Sequence, residues 1–181
     1  MRDLREQPHR KTGGDSRVNI QANSEPTPSE PPPSDRPQLD AERLFVIEPG
    51  LLQASRLGLY PPDDVQVVLN VSDIPNEFVA GHKLVAIVQL PLADHEFPGV
   101  EWLELVVDML SRFRRRNFSV VVHCDMAESR SSLVILGYFM RERAFSLEEA
   151  LADLRTKNPH ADPNHRFLDG LEKYEEFLSR G

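Results

Sequence analysis

Short apolar runs along the chain predict the strands of a sheet. The first run covers residues 44–47 and is followed by Pro49-Gly50, a strong turn signal. Three later runs, 65–71, 84–90 and 118–123, are rich in β-branched residues. Their apolar residues are consecutive, which is typical of strands that helices cover on both faces. We therefore expect a central, mainly parallel sheet.

The residues between the last two runs follow the period of a helix. Apolar residues recur there at helical spacing, at Val100, Leu103, Val106, Val107, Leu110 and Phe113. The arginines that follow, at 112 and 114–116, lie where a helix dipole favours cations. We interpret them as a helix terminus and not as a nucleic-acid patch.

The C-terminal third predicts three helices. One covers residues 130–143, one begins at Ser146 with Glu149 as its capping-box partner, and one follows Asp162-Pro163. The last carries an apolar stripe predicted to pack in the core, namely Phe167, Leu168, Leu171, Tyr174, Phe177 and Leu178. The expected fold class is α/β, a single domain with a sheet flanked by helices.

The N-terminal residues 1–40 have a different character. They are polar and rich in proline and serine, and they cannot bury enough apolar surface to offset their chain entropy. We expect a disordered arm before a folded domain at 41–181. The arm is either a solvated tail or, through its polyproline character, a docking segment for a partner.

Composition narrows the function classes. The formal charge of −8 argues against nucleic acid or an anionic membrane as the main partner. Cys124 is the single cysteine, which excludes an intrachain disulfide and a cysteine-rich zinc site. The sequence has no apolar run long enough for a membrane span and no secretory signal pattern. We expect a cytoplasmic protein that uses no metal and no cofactor.

Candidate chemistry is concentrated at the junction of the last predicted strand and the helix at 130–143. Such a junction directs backbone N–H groups and the positive end of the helix dipole at one point, where an anion can bind. Cys124 lies at the start of this loop, so the same potential favours its ionised, nucleophilic thiolate. Arg130, six residues later, can hold two phosphate oxygens with its planar guanidinium.

The segment from His123 to Ser131 resembles the His-Cys-x5-Arg-Ser signature of the protein tyrosine phosphatase superfamily, in its dual-specificity branch. The resemblance implies that Cys124 forms a phosphocysteine, that Arg130 holds the phosphate, that His123 buttresses the thiolate and that Ser131 donates a hydrogen bond as sulfur leaves. It also implies that the intervening residues line the substrate site, namely Asp125, Met126, Ala127, Glu128 and Ser129. The alternative is that Cys124 is only a small buried apolar residue.

Cleavage of a phosphomonoester also needs an acid for the leaving oxygen. Residues 90–96 follow a predicted strand and resemble the acid loop that precedes the cysteine by about thirty residues in this family. Asp94 is the candidate acid. The alternatives are that it is an ordinary loop carboxylate or that His95 or Glu96 takes the role. The resemblance extends over about 42–178.

Two features of the loop depart from the family. Ala127 occupies a position that is usually glycine, where a positive φ lets the backbone curl around phosphate. Asp125 and Glu128 add carboxylates, which we expect to point to solvent because they would otherwise repel a dianion. A catalytically weak or inactive phosphate-binding scaffold therefore stays a second hypothesis, and an unrelated fold a third.

The function predicted first is phosphomonoester hydrolysis through a phosphocysteine intermediate. Its substrate would be a phosphoprotein, at phosphotyrosine or phosphoserine/threonine, or a small phosphomonoester. Arg130 is the only basic residue of the loop. A polyphosphorylated lipid, which would call for further basic residues, is therefore disfavoured.

Overall fold

The computed structural model describes residues 44–78 and 83–180. Its strands are β1 (Leu44–Glu48), β2 (Leu51–Ala54), β3 (Val67–Asn70), β4 (Ala86–Gln89) and β5 (Val120–His123). Its helices are α1 (Val100–Arg115), α2 (Arg130–Arg143), α3 (Leu147–Lys157) and α4 (His165–Ser179). The arm predicted at 1–40 lies outside the described residues.

The five strands form one sheet in the order β1-β2-β5-β3-β4. All neighbours are parallel except β1 and β2, which form an antiparallel hairpin around Pro49 and Gly50. The α/β prediction with a mainly parallel sheet is thus confirmed. Strand β2 was not predicted, because it has only four residues and the polar Gln53 interrupts its apolar pattern.

Each face of the sheet has its own apolar cluster, because successive strand residues point to opposite faces. Val67 and Val120 belong to a cluster that receives buried residues from all four helices. Val68 and Val121 belong to the other, whose remaining buried members come from β2 and from the loop around Leu57. The expectation that helices cover both faces is therefore wrong for the described residues.

Strand β4 lies at one edge of the sheet. Val85 is 58% exposed and Ile87 is 50% exposed. The prediction that the run 84–90 is buried on both faces is wrong, because this edge strand has only one neighbour and its outer side chains remain exposed.

The helix predictions are largely confirmed. Helix α2 has the predicted bounds, and α3 begins with the complete capping box of Ser146 and Glu149. The basic residues at the end of α1 form ion pairs, including Arg115 with Glu142, as expected of a helix terminus. In α4 the predicted stripe is wrong at Phe177, which is 45% exposed and stacks on the buried Tyr174.

The sheet register positions the functional loops. Strands β2, β5, β3 and β4 are parallel and therefore end at the same edge. His123, the last residue of β5, is in register with Ala54 and with Asn70, and Asn70 is in register with Gln89. The loops that follow β3, β4 and β5 consequently lie side by side, which is where parallel sheets bind ligands. None of the described helices has the length and apolar character of a membrane span.

Candidate active site

The loop from Cys124 to Arg130 joins the end of β5 to the start of α2. The N–H of Cys124 donates to the carbonyl of Ala54 at 3.4 Å, which continues the pairing of β5 with β2. Cys124 is 2% exposed. The loop turns at Ala127, whose φ of 59° lies in the left-handed region. The conformation that favours glycine is therefore adopted here by alanine, at a cost of about 1 kcal/mol.

Two buried amides stabilise this turn. The carbonyl of Ala127 accepts hydrogen bonds from Gln53 Nε2 at 3.1 Å and from Asn158 Nδ2 at 2.7 Å. Asn158 also donates to Gln53 Oε1 at 2.9 Å, so the two amides orient each other. Both side chains are fully buried. Sequence reasoning missed both Gln53 and Asn158, because neither lies near Cys124 along the chain.

The sulfur of Cys124 lies 3.2 Å from the hydroxyl oxygen of Ser131. Gln53 Nε2 donates to that oxygen at 2.9 Å, so the oxygen already serves as an acceptor. Either group of the Cys124–Ser131 pair can donate while the thiol is neutral, and the serine hydroxyl is the donor once the sulfur is a thiolate. A donor at this distance stabilises a thiolate more than a neutral thiol.

Arg130, the first residue of α2, has a side chain that is only 9% exposed. Its guanidinium contacts three carboxylates: Asp125 at 2.6 Å, Asp73 at 3.2 Å and Asp94 at 3.6 Å. Burial opposes the charged form, but the hydrogen bond that Arg130 donates to Asp125 and the negative charges nearby outweigh it and raise the pKa of Arg130.

The expectation that Asp125 points to solvent is wrong. Its carboxylate turns inward because the buried guanidinium of Arg130 lies within reach. Elsewhere in the loop Met126 is 46% exposed, whereas Glu128 and Ser129 are half-buried. Asp73 was also missed; it follows β3 at the same edge of the sheet, and parallel strand pairing is the signal that could have indicated it.

The predicted acid loop follows β4. Its Leu92 is 3% exposed and belongs to the main core, which fixes the loop on the domain. Of the three candidates in the loop, Asp94 contacts Arg130, whereas His95 and Glu96 are exposed. The structure therefore brings Asp94 to the cysteine loop.

Asn164 connects the two loops. It caps α4 by accepting from the N–H of Phe167 at 3.1 Å. Its Nδ2 donates to the carbonyl of Asp94 and, at 3.2 Å, to the hydroxyl of Ser129. One side chain thus joins the acid loop, the cysteine loop and the start of α4.

His123 supports the site from the end of β5. Its side chain is buried, and Nε2 donates to Asn76 Oδ1 at 3.1 Å. Burial lowers the pKa of His123 to about 4, and the opposing effects of the Cys124 backbone and the Asp125 charge are smaller. The imidazole is therefore neutral at pH 7, with its ring fixed by Asn76.

A cavity of about 410 Å³ opens where these loops meet. Its lining consists of Asp73, Pro91, Leu92, Ala93, Asp94, Asp125 and Arg130. Four ionisable side chains thus face a space large enough for a phosphate group, with Arg130 as their cation.

Comparison with protein families gives a match over residues 61–177 to the model described as "Dual specificity phosphatase, catalytic domain". The chain is 32% identical over 123 residues to Dual specificity protein phosphatase Mpk3 of Drosophila melanogaster, covering 64% of this chain and 28% of that protein. It is also 32% identical over 105 residues to Dual specificity protein phosphatase 1 of Arabidopsis thaliana, covering 58% and 50%. The match therefore spans half or less of each of these relatives.

Solved structures share the fold. The crystal structure of human DUSP28 superposes with a TM-score of 0.65 at 27% identity, covering 76% of this chain and 95% of that one. A mouse dual specificity phosphatase complexed with zinc tungstate superposes with a TM-score of 0.69 at 25% identity, covering 80% and 93%.

Proposed function

The chain belongs to the dual specificity phosphatase family, and on that premise we propose that it hydrolyses phosphomonoesters on proteins through a phosphocysteine intermediate. The observation that carries the proposal is the position of four side chains at one end of the sheet. Cys124 lies 3.2 Å from Ser131, and Arg130, the first residue of α2, lies 3.6 Å from Asp94. This arrangement can bind phosphate, attack it and protonate its leaving group.

Substrate binding would use Arg130 and the start of α2. The guanidinium would bind two phosphate oxygens, and the helix N-terminus would add its partial positive charge. A mouse relative was crystallised in complex with zinc tungstate, and tungstate is a tetrahedral oxyanion like phosphate.

In the first step the thiolate of Cys124 attacks phosphorus, and the bond from phosphorus to the leaving oxygen breaks. Asp94 donates its proton to that oxygen, so a neutral alcohol or phenol departs. Arg130 stabilises the charge on the oxygens of the phosphoryl group during transfer.

In the second step water attacks the phosphocysteine, and the carboxylate of Asp94 takes the proton that water loses. The bond from phosphorus to sulfur breaks and inorganic phosphate is released. The hydroxyl of Ser131 donates to the departing thiolate. Cys124 and Asp94 are then restored to their starting states.

The second candidate is a phosphate-binding domain without turnover. Alanine at a left-handed position and the carboxylate of Asp125 on Arg130 favour it, because a strained turn and an occupied guanidinium reduce the stabilisation of a phosphoryl group during transfer. Such a domain would bind a phosphorylated protein and release it unchanged.

Hydrolysis of para-nitrophenyl phosphate by the full chain and by Cys124→Ser, with chelator and reductant present, separates the two. The enzyme predicts turnover that falls at least about a thousandfold in the variant. The binding domain predicts no turnover in either protein. Strong inhibition of the wild type by chelator would contradict the cysteine mechanism, which needs no metal.

The role of Asp94 is tested with Asp94→Asn on two substrates. Loss of the acid slows a phosphotyrosine peptide more than para-nitrophenyl phosphate, because the activated aryl group leaves without a proton. The exposed neighbour Glu96 provides the matched variant, Glu96→Gln, which is expected to change both rates less than about twofold. Equal losses on both substrates in Asp94→Asn would remove Asp94 from the role.

A further inference from the structure

Asp125 has no task in the proposed reaction, yet it makes the closest of the three carboxylate contacts to Arg130. Its Oδ2 lies 2.6 Å from Nη2 of the guanidinium. A carboxylate and a phosphate offer a guanidinium the same kind of charged oxygen acceptor. We propose that Asp125 sets the affinity of the pocket for phosphate by competing with the substrate's phosphate for Arg130. This inference rests on the proposed function, since it concerns the same pocket.

A phosphate group can displace Asp125 from Arg130. Only one carboxylate oxygen binds Arg130, and the buried Oδ1 has no hydrogen-bond partner among the described residues. A phosphate can use two oxygens on the same guanidinium, so it gains more from Arg130 than Asp125 does. The side chain of Asp125 is 31% exposed and has solvent beside it to turn into.

Displacement needs no change of the loop backbone. The carbonyl of Asp125 accepts from the N–H of Arg56 at 3.1 Å, which ties this residue to the segment after β2. The carbonyl of Ala127 is held by Gln53 and Asn158. Rotation of the Asp125 side chain therefore frees Nη2 of Arg130 while the rest of the loop keeps its conformation.

The consequence is a lower affinity for every phosphate group that enters. A ligand that binds through its phosphate alone, such as inorganic phosphate, then leaves the pocket largely unoccupied. A phosphoprotein offsets the same loss with contacts outside the cavity. Asp125 thus raises the concentration that every phosphate ligand needs by the same factor, and a protein substrate with further contacts stays bound where free phosphate does not.

The other two carboxylates are expected to compete with phosphate for Arg130 less strongly than Asp125 does. Asp73 also contacts Arg130, but at 3.2 Å and with a side chain that is 73% exposed. Solvent screens such an exposed pair, so Asp73 is a weaker competitor than Asp125. Asp94 lies farther away, at 3.6 Å, and has the acid role in the proposed reaction.

The test is calorimetric titration of sodium tungstate into full-length Cys124→Ser, which binds without turnover. Adding Asp125→Asn is expected to lower the dissociation constant about tenfold, and adding Asp73→Asn about twofold. Glu172→Gln, an exposed position on α4, removes the same charge away from the loop and serves as the control. Asp125→Ala is the second variant, because asparagine retains an oxygen that can accept from Arg130.

Unchanged or weaker tungstate binding in both Asp125 variants, with thermal unfolding showing that they fold, overturns the inference. With Cys124 restored, Asp125→Asn is expected to raise kcat/KM for para-nitrophenyl phosphate through a lower KM. If turnover depends on Cys124 but the dissociation constant for tungstate does not change when Asp125 is replaced, only this inference fails. If no variant binds tungstate and the wild type has no turnover, the proposed function fails as well.

Discussion

The hydroxyl oxygen of Ser131 lies 3.2 Å from the sulfur of Cys124. Gln53 donates to the same oxygen. A thiolate has no proton to donate, so Ser131 is the donor of this contact whenever the sulfur is ionised. The contact matters most when sulfur leaves as a thiolate, which is the second step of the proposed reaction.

Ser131→Ala is therefore expected to slow phosphocysteine hydrolysis about ten- to a hundredfold, the value of one hydrogen bond to a charged group. Rapid mixing with para-nitrophenyl phosphate should show a burst of nitrophenol followed by slow turnover. The control is Ser132→Ala, which also loses a hydrogen bond from Gln53 but none to Cys124. A first step slowed as much as the second would contradict this role.

Asn164→Ala is expected to reduce kcat about tenfold, because the side chain that joins the Asp94 and Ser129 loops is lost. Loss of the α4 cap should also lower the free energy of unfolding by about 1 kcal/mol. Ser146→Ala removes the corresponding cap of α3 and is the matched control. If both variants lose stability and neither loses kcat, Asn164 is only a helix cap.

Ala127 provides a test of backbone strain. Ala127→Val places a β-branched residue at a φ of 59° in a fully buried position, so we expect a loss of about 3 kcal/mol or more in the free energy of unfolding. Ala127→Gly relieves the strain but loses a buried methyl group and adds chain entropy to the unfolded state, so its change should stay within about 1 kcal/mol. Urea unfolding measures both. A valine variant as stable as wild type would show that the turn relaxes freely.

The lowered pKa of His123 predicts that the free energy of unfolding depends on pH. Its pKa is about 4 in the folded protein and 6.5 in its ordinary state, so between these values the unfolded chain binds a proton that the folded chain does not. Stability from this group is complete above about pH 6.5 and falls by about 3 kcal/mol as the pH drops to 4. Urea unfolding of wild type and His123→Gln across this range measures the difference. Parallel curves for the two proteins would contradict the assignment.

The sequence by itself determined the elements whose signals are local. Three such features are the bounds of α2, the capping box of α3 and the strand-loop-helix setting of Cys124 and Arg130. Each of them depends on residues that lie only a few positions apart in the sequence. Apolar period and capping chemistry report such short-range structure directly. The candidate acid Asp94 came from resemblance, and its position after β4 agrees with the fold.

Only the tertiary structure decided which distant side chains share the site. Gln53 and Asn158 are 105 residues apart, yet both hold the carbonyl of Ala127. The inward turn of Asp125 follows from a buried guanidinium, since a carboxylate reaches such a partner in preference to water only where the fold places one. A sequence carries the chemical identity of these groups, but burial and through-space distance exist only once the strands have paired.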